Sequence, residues 1–188
     1  MPEVMLFRSD QSAMNFQLHV YQAARRAVIE EDLNSVLDIG CGNPQKLRAY
    51  LYPFVDDIVG LDLPEIIDQI DVNFGRWIAC DIERDYTSLY QKFNLIIAAD
   101  VIEHLDNPDK LFDLIKTHAS SETIILFSTP ERVSSTPINP CHHKEYTKDE
   151  MISVLKDANF NVEASMSYHE KKCIDPYISN MFVCLIGD

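Results

Sequence analysis

The chain has 188 residues, 46% of them hydrophobic, 10% aromatic and 24% charged, a balance expected of one globular domain over residues 1–188 rather than of a disordered chain. Its formal net charge is −14, from 16 basic and 30 acidic residues, which argues against nucleic acid and against an anionic membrane surface as partners. The five cysteines, at 41, 80, 141, 173 and 184, form no C-x-x-C pair, which argues against a disulfide framework and a four-cysteine zinc site.

The segment Met1 to Arg8 lacks the basic start and apolar stretch of a signal peptide, and no apolar run approaches the roughly 20 residues that span a bilayer. A reducing cytoplasm is the expectation. Ser12 to Glu31 carries Met14, Leu18, Tyr21, Ala24 and Val28 at three- and four-residue steps, which predicts a helix. Ser35 to Ile39 is a short apolar strand running into glycines, and Pro44 to Leu51 a helix with proline in its first turn. Strands follow at Asp57 to Leu63, Arg76 to Cys80 and Phe93 to Ala99, the last apolar nearly throughout, as a strand buried on both faces should be.

Asn107 to His118 is a helix with Asn107 as N-cap and Pro108 as its first residue. Thr123 to Ser128 is a fifth strand. Thr129 to Tyr146 is an 18-residue irregular stretch holding Pro130, Pro137 and Pro140, and loops of that length are usually functional or disordered. Thr147 to Ala158 is a helix opened by a capping box of Thr147 and Glu150. Asn161 to Ser167 and Met181 to Ile186 are the final strands, too close for a helical crossover and so antiparallel. The alternation predicts an α/β, doubly wound, mostly parallel sheet with helices on both faces.

The strongest local signal is Val36-Leu37-Asp38-Ile39-Gly40-Cys41-Gly42-Asn43-Pro44. A buried strand enters two glycines and then a helix. Glycine permits the sharp turn and lets a ligand approach where a Cβ would block it. Asp38, near the strand end, is placed to reach an ammonium group. Asp62 ends the next strand about 20 residues on, where an acid accepts from both hydroxyls of a ribose. Asp81 ends the third, within reach of an adenine amine. Three acids at successive strand ends line the carboxyl edge of the sheet, where open α/β folds bind ligands. A dinucleotide is the weaker reading, because its fingerprint needs G-x-G-x-x-G and this chain has Gln45 at the third glycine.

In order and spacing, Val36 to Gly42, Val59 to Asp62, Ala79 to Ile82 and Phe93 to Leu105 resemble the class I S-adenosylmethionine-dependent methyltransferases. The likeness covers nearly the whole chain. It implies a seven-stranded sheet with an antiparallel last strand and S-adenosyl-L-methionine as cofactor. It further implies Gly40, Cys41 and Gly42 against the methionine part and ribose, with Asp38 near the amino group. Asp62 and Leu63 would then meet the ribose, Asp81 and Ile82 the adenine, and Ala99 the floor of the site. One departure is Pro44, where the family's turn usually carries a third glycine.

Glu103 and His104 follow the fourth strand, near where an acceptor would lie, and also suit helix capping. A metal reading of Cys141, His142, His143 and Glu145 is disfavoured, since adjacent side chains diverge and no distant partner pair shows ligand spacing. No metal is therefore expected. Tyr146, Tyr168, Tyr177 and Phe182 suit either an acceptor pocket or the core. Asn139 to Thr147 resembles a segment of methyltransferases acting on sugars, quinone precursors and other small hydroxylated acceptors. There a histidine precedes an aromatic residue and a helix cap, and His142 is the matching position. The expectation is transfer to a small-molecule hydroxyl, with His142 as base or orienting group and His143 in reserve. The alternatives are that both histidines pin the loop, and that the chain is a non-catalytic S-adenosylmethionine-binding regulator or scaffold. The sequence leaves acceptor identity, O- against N- or C-methylation and oligomeric state open.

Overall fold

The structure, a computed structural model, describes residues 16–84, 89–137, 139–170 and 177–187. In chain order these form α1 (Leu18–Glu30), β1 (Ser35–Ile39), α2 (Gln45–Tyr50), β2 (Asp57–Asp62), α3 (Pro64–Ile67) and β3 (Arg76–Ala79). They continue with β4 (Leu95–Ala99), α4 (Asp109–His118), β5 (Ile124–Pro130), α5 (Lys148–Asp157), β6 (Phe160–Glu170) and β7 (Tyr177–Ile186). The expected helix start at Ser12 lies outside the described residues, as does Cys173.

The seven strands make one sheet in the order β3-β2-β1-β4-β5-β7-β6. Pairings from β3 through β5 are parallel, and β7 alone runs against both its neighbours. The chain builds outward from β1 to β3, then returns to place β4 on the other flank of β1. At that reversal the connecting helices leave for opposite faces and open a crevice beyond the carboxyl ends of β1 and β4.

Alternation along the central strands feeds two cores. Leu37, Ile39, Val59, Leu61, Ile96 and Ala98 pack with Leu111, Phe112 and Ile115 of α4 and Met151 and Leu155 of α5. Val36, Ile58, Leu95, Ile97 and Ala99 pack with Val20, Tyr21, Ala24 and Val28 of α1 and Leu47 of α2. Both β1 and β4 are buried along their whole length, which is why they read as unbroken apolar runs.

Differences from the sequence reading are local. The turn of α3 was not anticipated, although Pro64 at its start and Glu65 behind it are ordinary helix-opening residues. Regular hydrogen bonding in α4 begins at Asp109, with Pro108 already helical at φ −64°, ψ −18°, and the Asn107 side chain accepts from the Asp109 N–H at 3.0 Å. The capping box of Thr147 and Glu150 forms as expected. β5 continues through Thr129 and Pro130, which pair with Asn180 and Ser179. β6 and β7 extend well beyond their apolar cores because each is held by its antiparallel partner, through a bulge between Val162 and Ala164. The long loop is thereby shortened, and its ends meet where Glu131 bridges to Tyr146. Among the described residues no helix is long and apolar enough to cross a membrane.

Candidate active site

The glycine turn sits at the reversal of the sheet. Its first residues are tied to β2, with the Gly40 and Cys41 N–H groups donating to Leu61 O at 2.8 and 3.0 Å. Both glycines have positive φ, 70° at Gly40 and 51° at Gly42, a region where L side chains are strained. Their surroundings differ. A Cβ on Gly40 would lie 2.6 Å from Val101 Cγ2, whereas nothing lies within 4 Å of one on Gly42. Gly40 therefore lets the turn close against the residue after Asp100, and Gly42 faces open space. The Cys41 thiol is turned into the protein against Gly60. Pro44 caps α2 at φ −76° and its carbonyl accepts from Arg48 N–H.

Asp38 is fully buried, and its Oδ2 accepts from Tyr21 Oη at 2.8 Å. Its Oδ1 has no hydrogen-bond partner among the described residues. Burial raises its pKa to about 7, opposed by the Tyr21 hydrogen bond and by the positive charge of Lys46. The Lys46 ammonium lies over the Tyr21 ring and donates to Gln17 Oε1 at 2.7 Å, while Gln17 Nε2 donates to Ala99 O at 3.0 Å. The first described turn is thus strapped across the carboxyl ends of β1 and β4. Tyr21 was read from the sequence as a core residue only. Its hydroxyl was the signal, since a polar tip on a buried helical stripe needs a partner.

Asp62 is held as a bracket around the turn. Its Oδ2 accepts from Gly42 N–H and its Oδ1 from Leu63 N–H, both at 2.7 Å, and each oxygen keeps a further lone pair. Burial raises its pKa, with those two N–H groups opposing. Asp81 lies two residues beyond β3, accepting from Glu83 N–H at 3.1 Å and pairing loosely with Arg84 at 3.5 Å. Ile82 packs at the rim of one core. The structure therefore gathers Asp38, Gly42, Asp62, Leu63, Asp81 and Ala99 on one sheet edge.

The end of β4 is built differently. Asp100 has φ 53°, a conformation aspartate tolerates at a cost, and Ser128 Oγ donates to its Oδ1 at 2.6 Å. A 3-10 turn (Ile102–His104) follows. It carries Glu103, which is 0% exposed. Thr129 Oγ1 donates to Glu103 Oε2 at 3.3 Å, and Oε1 has no partner among the described residues. Burial raises the Glu103 pKa, and the nearby Asp100 and Glu145 charges push the same way. The His143 N–H donates to Glu103 O at 2.8 Å, so the distant loop is stitched to this turn.

That stitching brings His104 and His142 together beside Glu103, and it bears on two sequence expectations. Two distant residues do gather beside His142, since one ligand atom from each of Glu103, His104 and His142 lies within 4.8 Å of the others. Nor is His142 a free base. Its side chain is 6% exposed, Nδ1 lies 2.7 Å from Glu145 Oε1, and Asn139 Nδ2 donates to Nε2 at 3.0 Å. His143 is 49% exposed and paired with Asp106 at 2.6 Å. His104 was weighed from the sequence mainly as a packing residue. Its Nδ1 lies 2.9 Å from Cys141 O. A carbonyl only accepts, so Nδ1 carries the proton and Nε2 the lone pair. Burial lowers the His104 pKa. Phe182 is a core residue and Tyr168 stacks on His19, whereas Tyr146, buried in the core, feels the Glu103 charge, and Tyr177 lies 3.5 Å from Asp100 Oδ2.

A model of the methyltransferase domain family matches residues 16–165, which include every element from α1 to α5. The chain belongs to the methyltransferase domain family. Among solved structures, a methyltransferase from Clostridium acetobutylicum ATCC 824, described as S-adenosylmethionine-dependent, matches with TM-score 0.66 at 13% identity, over 94% of this chain and 97% of that one. The N-methyltransferase NodS of Bradyrhizobium japonicum WM9 matches with TM-score 0.69 at 13% identity, over 95% and 99%. The glycopeptide N-methyltransferase MtfA, solved with S-adenosylmethionine, matches with TM-score 0.59 at 14% identity, over 88% and 93%. At these identities the structural likeness is one of fold. No curated protein sequence matches. Family and fold agree on a methyltransferase, an enzyme built on the sheet of proteins whose methyl donor is S-adenosylmethionine. The methyltransferase turn suits such a donor on two counts: the space beside Gly42 is open, and a buried Asp38 oxygen lacks a partner among the described residues.

Proposed function

We propose that this methyltransferase moves the methyl group of S-adenosylmethionine to a hydroxyl oxygen of a small molecule, a sugar or another small hydroxylated metabolite. The donor would lie along the carboxyl edge of the sheet, with Asp38 Oδ1 on its ammonium, Gly40, Cys41 and Gly42 along its backbone, and Asp62 and Leu63 at the ribose. Asp81 and Ile82 would flank the adenine, and Ala99 the reacting end. When bound, the donor supplies a methyl carbon made electrophilic by a positively charged sulfur.

The observation that carries the acceptor assignment is the His104 imidazole. Cys141 O fixes its tautomer, and its lowered pKa keeps it neutral near pH 7. Its Nε2 lone pair then receives the acceptor's hydroxyl proton while the oxygen attacks the methyl carbon. The sulfur takes back the electron pair of its methyl bond and leaves as a neutral thioether. In this reading the base moves from His142 to His104. Edge-to-face packing at 4.8 Å between their rings makes His142 the residue that holds His104 in place. His143, exposed and paired with Asp106, keeps the loop on the Glu103 turn.

The test is a panel of sugars, phenols and matched amines incubated with labelled S-adenosylmethionine, each product's methyl position being assigned by NMR. Methyl on oxygen is expected. His104→Ala should lower kcat by about 10²–10⁴ with donor affinity unchanged. Methyl on nitrogen, or near-normal turnover by that variant, refutes the reading.

A further inference from the structure

We propose that Glu103, His104 and His142 form a binding site for one divalent first-row transition-metal ion, of the zinc or manganese type. The site does not depend on the preceding reading; only the role given to the ion rests on it.

Second-shell arrangement is the first argument. A histidine that binds a metal ordinarily donates its other ring N–H to a carboxylate or a backbone carbonyl, which fixes the tautomer and orients the ring. Both histidines here are held that way. His104 Nδ1 donates to Cys141 O at 2.9 Å, and His142 Nδ1 to Glu145 Oε1 at 2.7 Å. Both Nε2 atoms therefore carry lone pairs. The Nε2 of His142 now accepts from the Asn139 amide at 3.0 Å, a neutral bond that an ion would displace.

The second argument is the carboxylate. Glu103 is 0% exposed, and its Oε1 has no hydrogen-bond partner among the described residues. A buried polar atom left in that state is destabilising, more so if charged. Neither Glu103 nor nearby Asp100 forms an ion pair with lysine or arginine among the described residues. A divalent ion would favour the ionised carboxylate at this buried position and use the orphaned oxygen.

Geometry is the third. One ligand atom of each residue lies within 4.8 Å of the other two. Donors around one ion at about 2.1 Å stand roughly 3–4 Å apart, so side-chain shifts of about an ångström would close the set. Two imidazoles and one carboxylate select a transition metal over magnesium or calcium, which prefer all-oxygen shells. Three protein ligands leave positions open, the pattern of sites that bind substrate rather than brace a fold.

The ion deepens the proposed function. An acceptor hydroxyl bound to it becomes acidic enough to release its proton to water near neutral pH. The oxygen then attacks the methyl carbon, and the sulfur keeps the electron pair of the broken bond. His104 serves as a ligand in that case, and the ion replaces it as the activator of the hydroxyl.

The test needs no acceptor. The whole protein is stripped with EDTA and titrated separately with Co²⁺, Zn²⁺ and Mg²⁺, by calorimetry and, for Co²⁺, visible absorption. One equivalent of Co²⁺ should bind with ligand-field bands free of thiolate charge transfer, and Zn²⁺ should displace it. His104→Gln and His142→Gln should each weaken binding at least tenfold while S-adenosylmethionine affinity, measured alongside, is retained. Glu103→Gln is the third variant, and the two histidine variants carry the test if it fails to fold. No saturable binding, binding unchanged in both histidine variants, preference for Mg²⁺, or a thiolate band overturns the site. If the metal binds as expected and no hydroxyl acceptor is methylated, the acceptor reading fails and the site stands.

Discussion

Replacing Asp38 by asparagine exchanges one carboxylate oxygen for an amide nitrogen at nearly constant volume, and its remaining oxygen can still accept from Tyr21. The charge is what changes. Burial raises the Asp38 pKa to about 7, against about 3.9 in an unfolded chain. The folded state therefore keeps a proton that the unfolded state has lost. The stability so contributed is fully present below about pH 4 and is lost as the pH rises through about 7. Each unit of difference corresponds to about 1.4 kcal/mol, so roughly 2–3 kcal/mol should disappear between pH 5 and pH 8. The Asp38→Asn variant lacks this loss. Without cofactor it should match the parent more closely at pH 5 and exceed it at pH 8, by roughly 4–12 °C in Tm on the usual scaling for a chain of this size. The same substitution should weaken S-adenosylmethionine binding by at least tenfold, because a charge-assisted hydrogen bond is worth about 1.5–3 kcal/mol. In the parent, binding that needs ionised Asp38 should be about tenfold weaker at pH 6 than at pH 8. Calorimetric melting of both proteins over pH 5–8, with donor titrations at the same pH values, checks all of this. Parallel Tm–pH curves for the two proteins would refute the buried, titrating Asp38. A donor affinity indifferent to both pH and substitution would remove it from the ammonium.

Gly40→Ala should destabilise by about 2–4 kcal/mol in urea unfolding, since positive φ and the overlap with Val101 both act, while Gly42→Ala should cost only about 1–2 kcal/mol for its φ; equal costs would contradict the different surroundings of the two glycines. Asp62→Ala should weaken S-adenosylmethionine at least tenfold in calorimetric titration, because about 1.5–3 kcal/mol of charge-assisted bonding is removed and the Gly42 and Leu63 N–H groups are released. An unchanged Kd would take Asp62 out of the site. With a net charge of −14, duplex DNA should show no gel-shift binding at physiological salt, and a salt-sensitive shift would contradict that expectation.

Much of the fold was legible because its signals are local and repeat. The apolar runs of β1 and β4 reveal strands buried on both faces, the Thr147–Glu150 box marks the start of α5, and the closeness of the last two strands forces them antiparallel. The turn from Asp38 to Gly42 was legible too, because a positive φ and an acid inside a buried strand leave marks at fixed positions. What the sequence could not decide was how elements far apart in the chain share a side chain's bonds. Asp38 and Tyr21 are 17 residues apart, and they meet only because α1 packs on the face of β1 that Tyr21 covers. His104 and Cys141 are separated by 37 residues, and it is the 3-10 turn after β4, held to the returning loop by Glu103 O, that sets their contact. From sequence alone His142 stood out as base, orienting group or loop anchor, since its segment resembles one that carries a histidine there. The tertiary structure engaged both its ring nitrogens and left the open lone pair on His104. Local patterns report conformation and burial through periodicity, whereas which nitrogen keeps a free lone pair depends on every hydrogen-bond partner that packing brings within about 3 Å.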